Sequence, residues 1–317
     1  MEQKRLKPWV GVLFLGIVLA MAQFVCFPIQ GAIGLWGLAI TELILLVMAI
    51  AAALICKQNL KEVFPMKLPK LREVLGVLVF WMGGILATLM ASYIFMLFFP
   101  EEMAAVSGGL NDIVSSEGLL LGILIASVMP AICEEAVHRG FILHTFKGVK
   151  KPWVIVLSMG ILFGVFHLDF YRFLPTAILG ACITWVMLKT ENMVMPALYH
   201  GINNLVPVLL SVVLQDTIAS VTSETAEGQG AMIAEQLLQG GVPLYISSIG
   251  TYLLLGVVAF PLMLAGTALM KKKGEKIKGK HVVTVFIIAG ACFLIGMIML
   301  IGASAYMISQ GTINVGL

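Results

Sequence analysis

The sequence is dominated by apolar runs long enough to cross a lipid bilayer. A transmembrane helix needs about 20 consecutive apolar residues, and runs of this kind recur along all 317 residues. Hydrophobic residues make up 60% of the chain and charged residues only 12%, a balance that a soluble domain cannot accommodate. The sequence therefore predicts a single membrane domain over residues 1–317, built as an all-α, polytopic transmembrane helical bundle.

The hydropathy pattern predicts about 8–9 spanning helices. In the nine-span interpretation they cover residues 9–29, 33–56, 74–98, 119–146, 152–168, 171–188, 193–215, 243–270 and 281–308. The fifth and sixth are the least distinct as separate crossings. The first run contains Ala20-Met21-Ala22, which resembles a signal-peptidase site, but it continues through Phe27 and therefore favours an uncleaved spanning helix.

The basic residues are confined to alternate connecting segments. Every Lys and Arg except Arg139 and Arg172 lies in residues 1–8, 57–73, 147–151, 189–192 or 271–280. Segments 99–118 and 216–242 contain acidic residues and no basic ones. The positive-inside rule then predicts a cytoplasmic amino terminus and an external carboxyl terminus. We expect a multi-pass protein of a bacterial plasma membrane, with segment 216–242 a disordered loop or a lid.

Other classes of partner receive no support from the composition. No basic stripe with interleaved aromatic residues suggests nucleic-acid binding. The five cysteines all fall in apolar runs without a Cys-x-x-Cys pair, which indicates packing residues rather than a disulfide framework. The lipid bilayer and a membrane-associated peptide or protein are the partners we expect.

Ionisable residues inside the spans are concentrated at three places. They lie in the sequences Glu134-Glu135-Ala136-Val137-His138-Arg139, Phe163-Gly164-Val165-Phe166-His167 and His200-Gly201-Ile202-Asn203-Asn204. Such residues are costly in a bilayer and need a pairing or a function to explain them. Glu42 lies apart from them in the sequence, and the sequence does not determine the direction in which its side chain points.

Helical spacing assigns different roles to the two adjacent glutamates. Glu135 and Arg139 are four residues apart on one helical face and form a self-neutralising pair, so both are predicted to be structural support. Glu134 has no permanent cation on its own face, which makes it the candidate for chemistry. His138 shares that face and is expected to be a hydrogen-bonded packing residue, with tuning of Glu134 as the alternative.

The order and spacing of these groups resemble a known family of membrane peptidases. The pattern consists of Glu-Glu-x-x-x-Arg at 134–139, Phe-x-x-x-His at 163–167 and His-x-x-x-Asn at 200–204. It is similar to the CAAX-protease and bacteriocin-processing (CPBP, or Abi) family. The resemblance covers residues 118–205 as a catalytic core, and residues 1–117 and 206–317 are flanking transmembrane helices and loops.

The resemblance implies an intramembrane endopeptidase that uses an activated water. Glu134 and His167 would activate the water, while His200 and Asn204 would stabilise the oxyanion. No cofactor is required by this scheme, although the family has also been described as metal-dependent. A zinc ion, if one is used, would be held by Glu134, His167 and His200.

Two other functions remain open from the sequence. One is a non-catalytic bacteriocin-immunity or scaffold protein with the same fold, which would tolerate substitution of Glu134. The other is a proton-coupled transporter, which typically carries internal repeats that we do not find here. A purely structural use of the buried polar residues is a further alternative.

Overall fold

The protein forms a helical bundle in the computed structural model, which describes residues 5–103, 118–213, 241–272 and 274–310. No strand occurs among these residues. The helices are α1 (Pro8–Met21), α2 (Phe27–Ile55), α3 (Leu60–Val63), α4 (Leu71–Met96), α5 (Leu119–Thr145), α6 (Pro152–Phe166), α7 (Phe170–Thr190), α8 (Val194–Val213), α9 (Gly241–Met270) and α10 (Gly279–Ser309).

Length and apolar composition support a membrane location for this bundle. Within the described residues, six continuous helical stretches are long and apolar enough to cross a membrane, and α6 and α8 are shorter apolar helices. The all-α transmembrane fold class is confirmed. The count of nine crossings stays a prediction, and the loop or lid expected at 216–242 lies almost entirely outside the described residues.

The first two predicted spans are two helices that form a hairpin, with the sharp kink between them at Ile33 and Gly34 inside the range of α2. A π-helical turn at Ala22–Cys26 leads directly into α2, and the chain reverses where Gly34 adopts a φ of 55°. The Gln30 side-chain amide donates to Thr41 Oγ1 over 2.8 Å. Eleven residues along a straight helix would separate these groups by about 16 Å, so the contact requires the reversal.

Helix α5 occupies the centre of the bundle and carries two π-helical segments. These are Leu124–Val128 and Ala136–Ile142, and the second begins directly after Glu135. Helices α1 and α2 pack on one side of α5, and α8 packs against its first half. A π-helical turn changes which face of the helix the following residues occupy, and such turns are frequent at functional sites.

Glycines allow the helices next to α5 to approach closely. A Cβ atom at Gly160 on α6 would lie 2.7 Å from the Ala177 carbonyl oxygen on α7. A Cβ atom at Gly180 on α7 would lie 2.5 Å from the Phe163 Cβ atom on α6. Small residues at helix interfaces permit this packing in membranes, and the packing here brings Phe163 toward α5.

The predicted inner segments meet at one end of the bundle, which we call the basic end. Arg5 donates to the Lys147 carbonyl oxygen. Further links are Lys147–Glu62 at 3.0 Å, Asn192 Nδ2 to the Lys67 carbonyl at 3.0 Å, Arg72 Nε to the Leu269 carbonyl at 2.7 Å, Lys189–Glu275 at 2.6 Å and Lys272–Glu191 at 2.7 Å. The segments that the charge pattern groups on one side of the membrane therefore lie together.

Candidate active site

A cluster of charged and polar side chains is buried where α5 meets α8. The exposed fractions are 0% for Glu135, 1% for Arg139, 2% for His200 and 8% for Glu134. Charged groups removed from water in this way need close partners of opposite charge or a chemical use. The partners of each side chain therefore distinguish structural from chemical roles.

Glu135 is held from two sides. Arg139 Nη1 donates to Glu135 Oε1 over 2.9 Å, and His200 Nδ1 lies 2.8 Å from the same oxygen. Arg139 Nη2 also donates to the Gly180 carbonyl oxygen on α7 over 2.7 Å. The pair predicted from the four-residue spacing is present, and it ties α5 to both α7 and α8.

Glu134 faces the other ring nitrogen of His200. Its Oε2 atom lies 3.9 Å from His200 Nε2 and has no hydrogen-bond partner. This distance exceeds a direct hydrogen bond and suits contact through a shift of either side chain or a bridging water. Glu134 is thus the less tightly held of the two carboxyl groups.

The Phe163 ring lies among the basic groups of the cluster. Its centroid is 4.9 Å from the His138 ring, 5.1 Å from the His167 ring and 5.7 Å from the His200 ring, each in an edge-to-face arrangement. The Arg139 Cζ atom lies over the ring at 4.7 Å. Phe163, the first residue of the Phe-x-x-x-His motif, is therefore the apolar support that fixes these side chains.

His167 and Asn204 lie at the edge of the cluster. His167 follows the last residue of α6, is half-buried, and has an Nε2 atom with no hydrogen-bond partner. Asn204 lies one helical turn beyond His200 and is half-buried, with its Nδ2 atom 3.4 Å from the Ala126 carbonyl oxygen on α5. Both residues therefore border the cluster, and His167 brings to it a buried ring nitrogen without a hydrogen-bond partner.

Comparison with known proteins supports the resemblance seen in the motifs. Residues 116–206 match the family model described as type II CAAX prenyl endopeptidase Rce1-like. The chain is 29% identical over 133 residues to UPF0177 protein YxdF of Lactococcus lactis subsp. lactis (strain IL1403), covering 40% of this chain and 73% of that protein. No solved structure matches the chain significantly. Together these two matches support a membrane protease of the CPBP family.

The match to the family model supports the coarse functional class. The matched model is named for CAAX-type endopeptidases, so a membrane protease is the class that the family supports. It does not favour the immunity, scaffold or transporter alternatives. All three motifs and the whole buried cluster around Glu135 lie inside the matched segment, whereas α1, α2, α9 and α10 lie outside it.

One buried acid near the matched segment was not assigned a role from the sequence. Glu42 on α2 is 2% exposed, it interacts electrostatically with Glu134, and its Oε2 atom has no hydrogen-bond partner. The sequence signal that could have identified it is a single glutamate inside an apolar run, because ionisable residues are costly in a bilayer. Since α2 lies outside the family match, the flanking helices also contribute to the surroundings of Glu134.

His138 departs from the sequence expectation in one respect. It is 0% exposed and packs edge-on against Phe163 and Phe166, both at 4.9 Å, which is the expected packing role. Neither of its ring nitrogens has a hydrogen-bond partner, so the expected hydrogen bond is absent. The π-helical segment that begins at Ala136 turns this side chain toward the aromatic rings of α6.

The described residues do not present a ready metal site. Among them, no group of three or more His, Cys, Asp or Glu side chains is placed to hold an ion. His200 Nδ1 is engaged by Glu135, so only Nε2 of this residue remains for a ligand bond. The zinc site that the resemblance allows, formed by Glu134, His167 and His200, stays a prediction, and the mechanism below uses no metal.

Proposed function

We propose that the protein is an intramembrane endopeptidase that cleaves membrane-associated peptides with a water activated by Glu134 and His167. The observation that carries this proposal is the placement of His200 between Glu134 and Glu135, at 3.9 Å and 2.8 Å. The Glu135 carboxyl group is fixed by the Arg139 guanidinium and the His200 imidazole. The Glu134 carboxyl group keeps an oxygen without a hydrogen-bond partner. This division suits one structural acid and one proton acceptor.

Glu134 is the proposed general base. Its unpartnered Oε2 atom can accept a proton from a water molecule that attacks the scissile carbonyl carbon. His167 Nε2, equally unpartnered, would hold the same water and orient its lone pair toward the substrate. Burial of both groups excludes competing solvent, which strengthens their electrostatic contacts.

His200 is the proposed proton carrier and, with Asn204, the oxyanion site. Glu135 accepts from Arg139 and is therefore assigned as a carboxylate, so the His200 Nδ1 atom carries a hydrogen and Nε2 is the open position. The proton that Glu134 takes from water would pass to His200 Nε2. The imidazolium would then donate to the oxyanion beside Asn204 Nδ2, and finally protonate the leaving amine.

The family match and the location of the site support a proposal for the substrate class. CAAX-type carboxyl-terminal peptides, bacteriocin leader peptides and other membrane-associated peptides all present an extended backbone at the membrane. We propose a peptide or protein of this kind, with its scissile bond entering the cluster between α5 and α8.

A cleavage assay in detergent tests the proposed function. Purified protein is incubated with a peptide library, and products are identified by mass spectrometry. Wild type is compared with Glu134→Gln, His167→Ala and a matched surface control, Glu62→Gln. We expect both site variants to lose cleavage while Glu62→Gln keeps it.

Two outcomes would change this proposal. Normal cleavage by Glu134→Gln in folded protein would reject the general-base mechanism. Loss of cleavage on adding a chelator, with recovery on adding Zn²⁺, would replace it with a metal-bound water.

A further inference from the structure

An apolar groove runs along the side of the bundle, away from the catalytic cluster. It has a volume of about 490 Å³, within the range of about 300–1,000 Å³ that is typical of small-molecule sites. Its walls come from α4, α6, α7, α9, α10 and residues 275–278. They include the side chains of Phe80, Ala181, Trp185, Phe260, Met263 and Leu264.

The groove extends from the basic end into the apolar part of the bundle. Phe260 lies ten residues before Met270 on α9, which corresponds to about 15 Å of helix. Phe80 is almost completely buried and forms part of the floor, whereas Leu264 is half-buried at the rim. The groove is therefore an elongated slot that opens on the membrane-facing surface.

Positive charge is concentrated where the slot reaches the basic end. Lys276, Lys278 and His281 line the groove there. Lys189 and Glu275 also line it, but they neutralise each other in an ion pair of 2.6 Å. Among the ion pairs of the described residues none involves Lys276 or Lys278, so the groove has an apolar body and an uncompensated basic mouth.

We propose that this groove binds an anionic phospholipid of the surrounding bilayer. One acyl chain would fill the apolar slot, and the phosphate would lie between Lys276 and Lys278. Basic pockets between transmembrane helices bind anionic lipid head groups because each nearby lysine contributes electrostatic attraction. A zwitterionic lipid would fill the same slot but would gain less from the two lysines.

The bound lipid would also support the helix that anchors the catalytic cluster. Ala181 and Cys182 form part of the groove wall, and the preceding residue, Gly180, accepts the hydrogen bond from Arg139. A ligand that binds only the folded protein stabilises it in proportion to its occupancy. We therefore expect anionic lipid to raise the thermal unfolding midpoint of the protein.

Native mass spectrometry of the delipidated protein tests the proposal. The protein is titrated with dioleoylphosphatidylglycerol and, separately, with dioleoylphosphatidylcholine. Wild type should retain phosphatidylglycerol more tightly, and Lys276→Gln/Lys278→Gln should weaken that retention about thirty-fold. The control Lys150→Gln/Lys151→Gln removes the same charge from the basic end outside the groove and should bind like wild type.

A second variant tests the apolar slot independently of charge. Leu264→Trp places a larger side chain in the groove and should reduce retention of both lipids. Equal retention of the two lipids by wild type, or unchanged phosphatidylglycerol binding in the double lysine variant, would overturn the proposal. Preferential occupation by a farnesylated peptide, insensitive to the lysine substitutions, would assign the groove to a substrate chain instead.

Discussion

His200 Nδ1 lies 2.8 Å from Glu135 Oε1, so the histidine of the third motif is oriented by the structural acid of the first. Because the same oxygen accepts from Arg139, one carboxylate connects α5, α8 and, through Arg139, α7. The Glu135–Arg139 pair is thus more than a local neutralisation. It fixes the direction in which His200 presents its Nε2 atom to Glu134.

Removal of one member of the pair should destabilise the fold. Arg139→Ala would leave the Glu135 carboxylate buried without its cation, and Glu135→Ala would strand the guanidinium. Breaking a buried ion pair in this way costs about 3–5 kcal/mol. Folded yield on size-exclusion chromatography and thermal unfolding should both fall for each single variant.

A double-mutant cycle separates the pair energy from other effects. Glu135→Ala/Arg139→Ala should cost less than the sum of the two single changes, because neither charge is left alone. Additive losses would show that the two side chains stabilise the bundle independently.

Phe163→Leu should impair catalysis more than folding. Leucine keeps the position apolar but removes the flat ring against which His138, His167 and His200 pack. We expect kcat to fall by about tenfold or more, since the proton-transfer groups lose their fixed positions, with little change in KM. Phe166→Leu is the control, because among the rings that the structure describes Phe166 packs against His138 and His167, whereas Phe163 also packs against His200. Equal losses in the two variants would contradict a special role for Phe163.

Local sequence spacing predicted the parts of the site that depend on a single helix. Four residues separate Glu135 and Arg139, which is one helical turn, so their pairing follows from helix geometry alone. The contact of Glu135 with His200 and the approach of Glu42 to Glu134 depend on how α5 packs against α8 and α2. A hydropathy pattern shows that these residues are costly in lipid, but it does not show which helix they face.

Sequence periodicity also did not predict the reversal in the first hairpin or the packing of His138. Apolar periodicity placed a boundary near residues 29–33, but the sharp reversal depends on the left-handed conformation of Gly34. The π-helical segment after Glu135 changes the direction in which the His138 side chain points. Regular helical spacing does not predict this change.

Ion pairs at the basic end should make stability depend on pH in the acidic range. Hydrogen bonding and the positive charge of Lys147 lower the pKa of Glu62 from its usual 4.5, and a hydrogen bond from Lys189 lowers the pKa of Glu275. The unfolded chain then binds protons more readily, so these contacts stabilise the fold above about pH 4.5 and lose their effect as the pH falls through the lower folded pKa.

Thermal unfolding measured between pH 7 and pH 3 checks this expectation. Wild type should lose stability below about pH 4.5, and Glu62→Gln/Glu275→Gln should show a shallower decline over the same range. The difference should be small, because both carboxylates are largely exposed and solvent screens their ion pairs. Identical pH profiles would show that these pairs do not contribute to stability.

The grouping of basic segments at one end predicts the orientation of the bundle in the membrane. Lys151 lies at the basic end before α6, and Glu101 lies beyond the other end of α4; both side chains are exposed. In a variant whose five native cysteines are replaced, Lys151→Cys should react with a membrane-impermeant maleimide only after cells are permeabilised, whereas Glu101→Cys should react in intact cells. The positive-inside rule requires this result, because basic segments are retained in the cytoplasm. The reverse labelling would show that the basic end lies outside the cell. Labelling of both positions in intact cells would contradict their placement on opposite sides of the membrane.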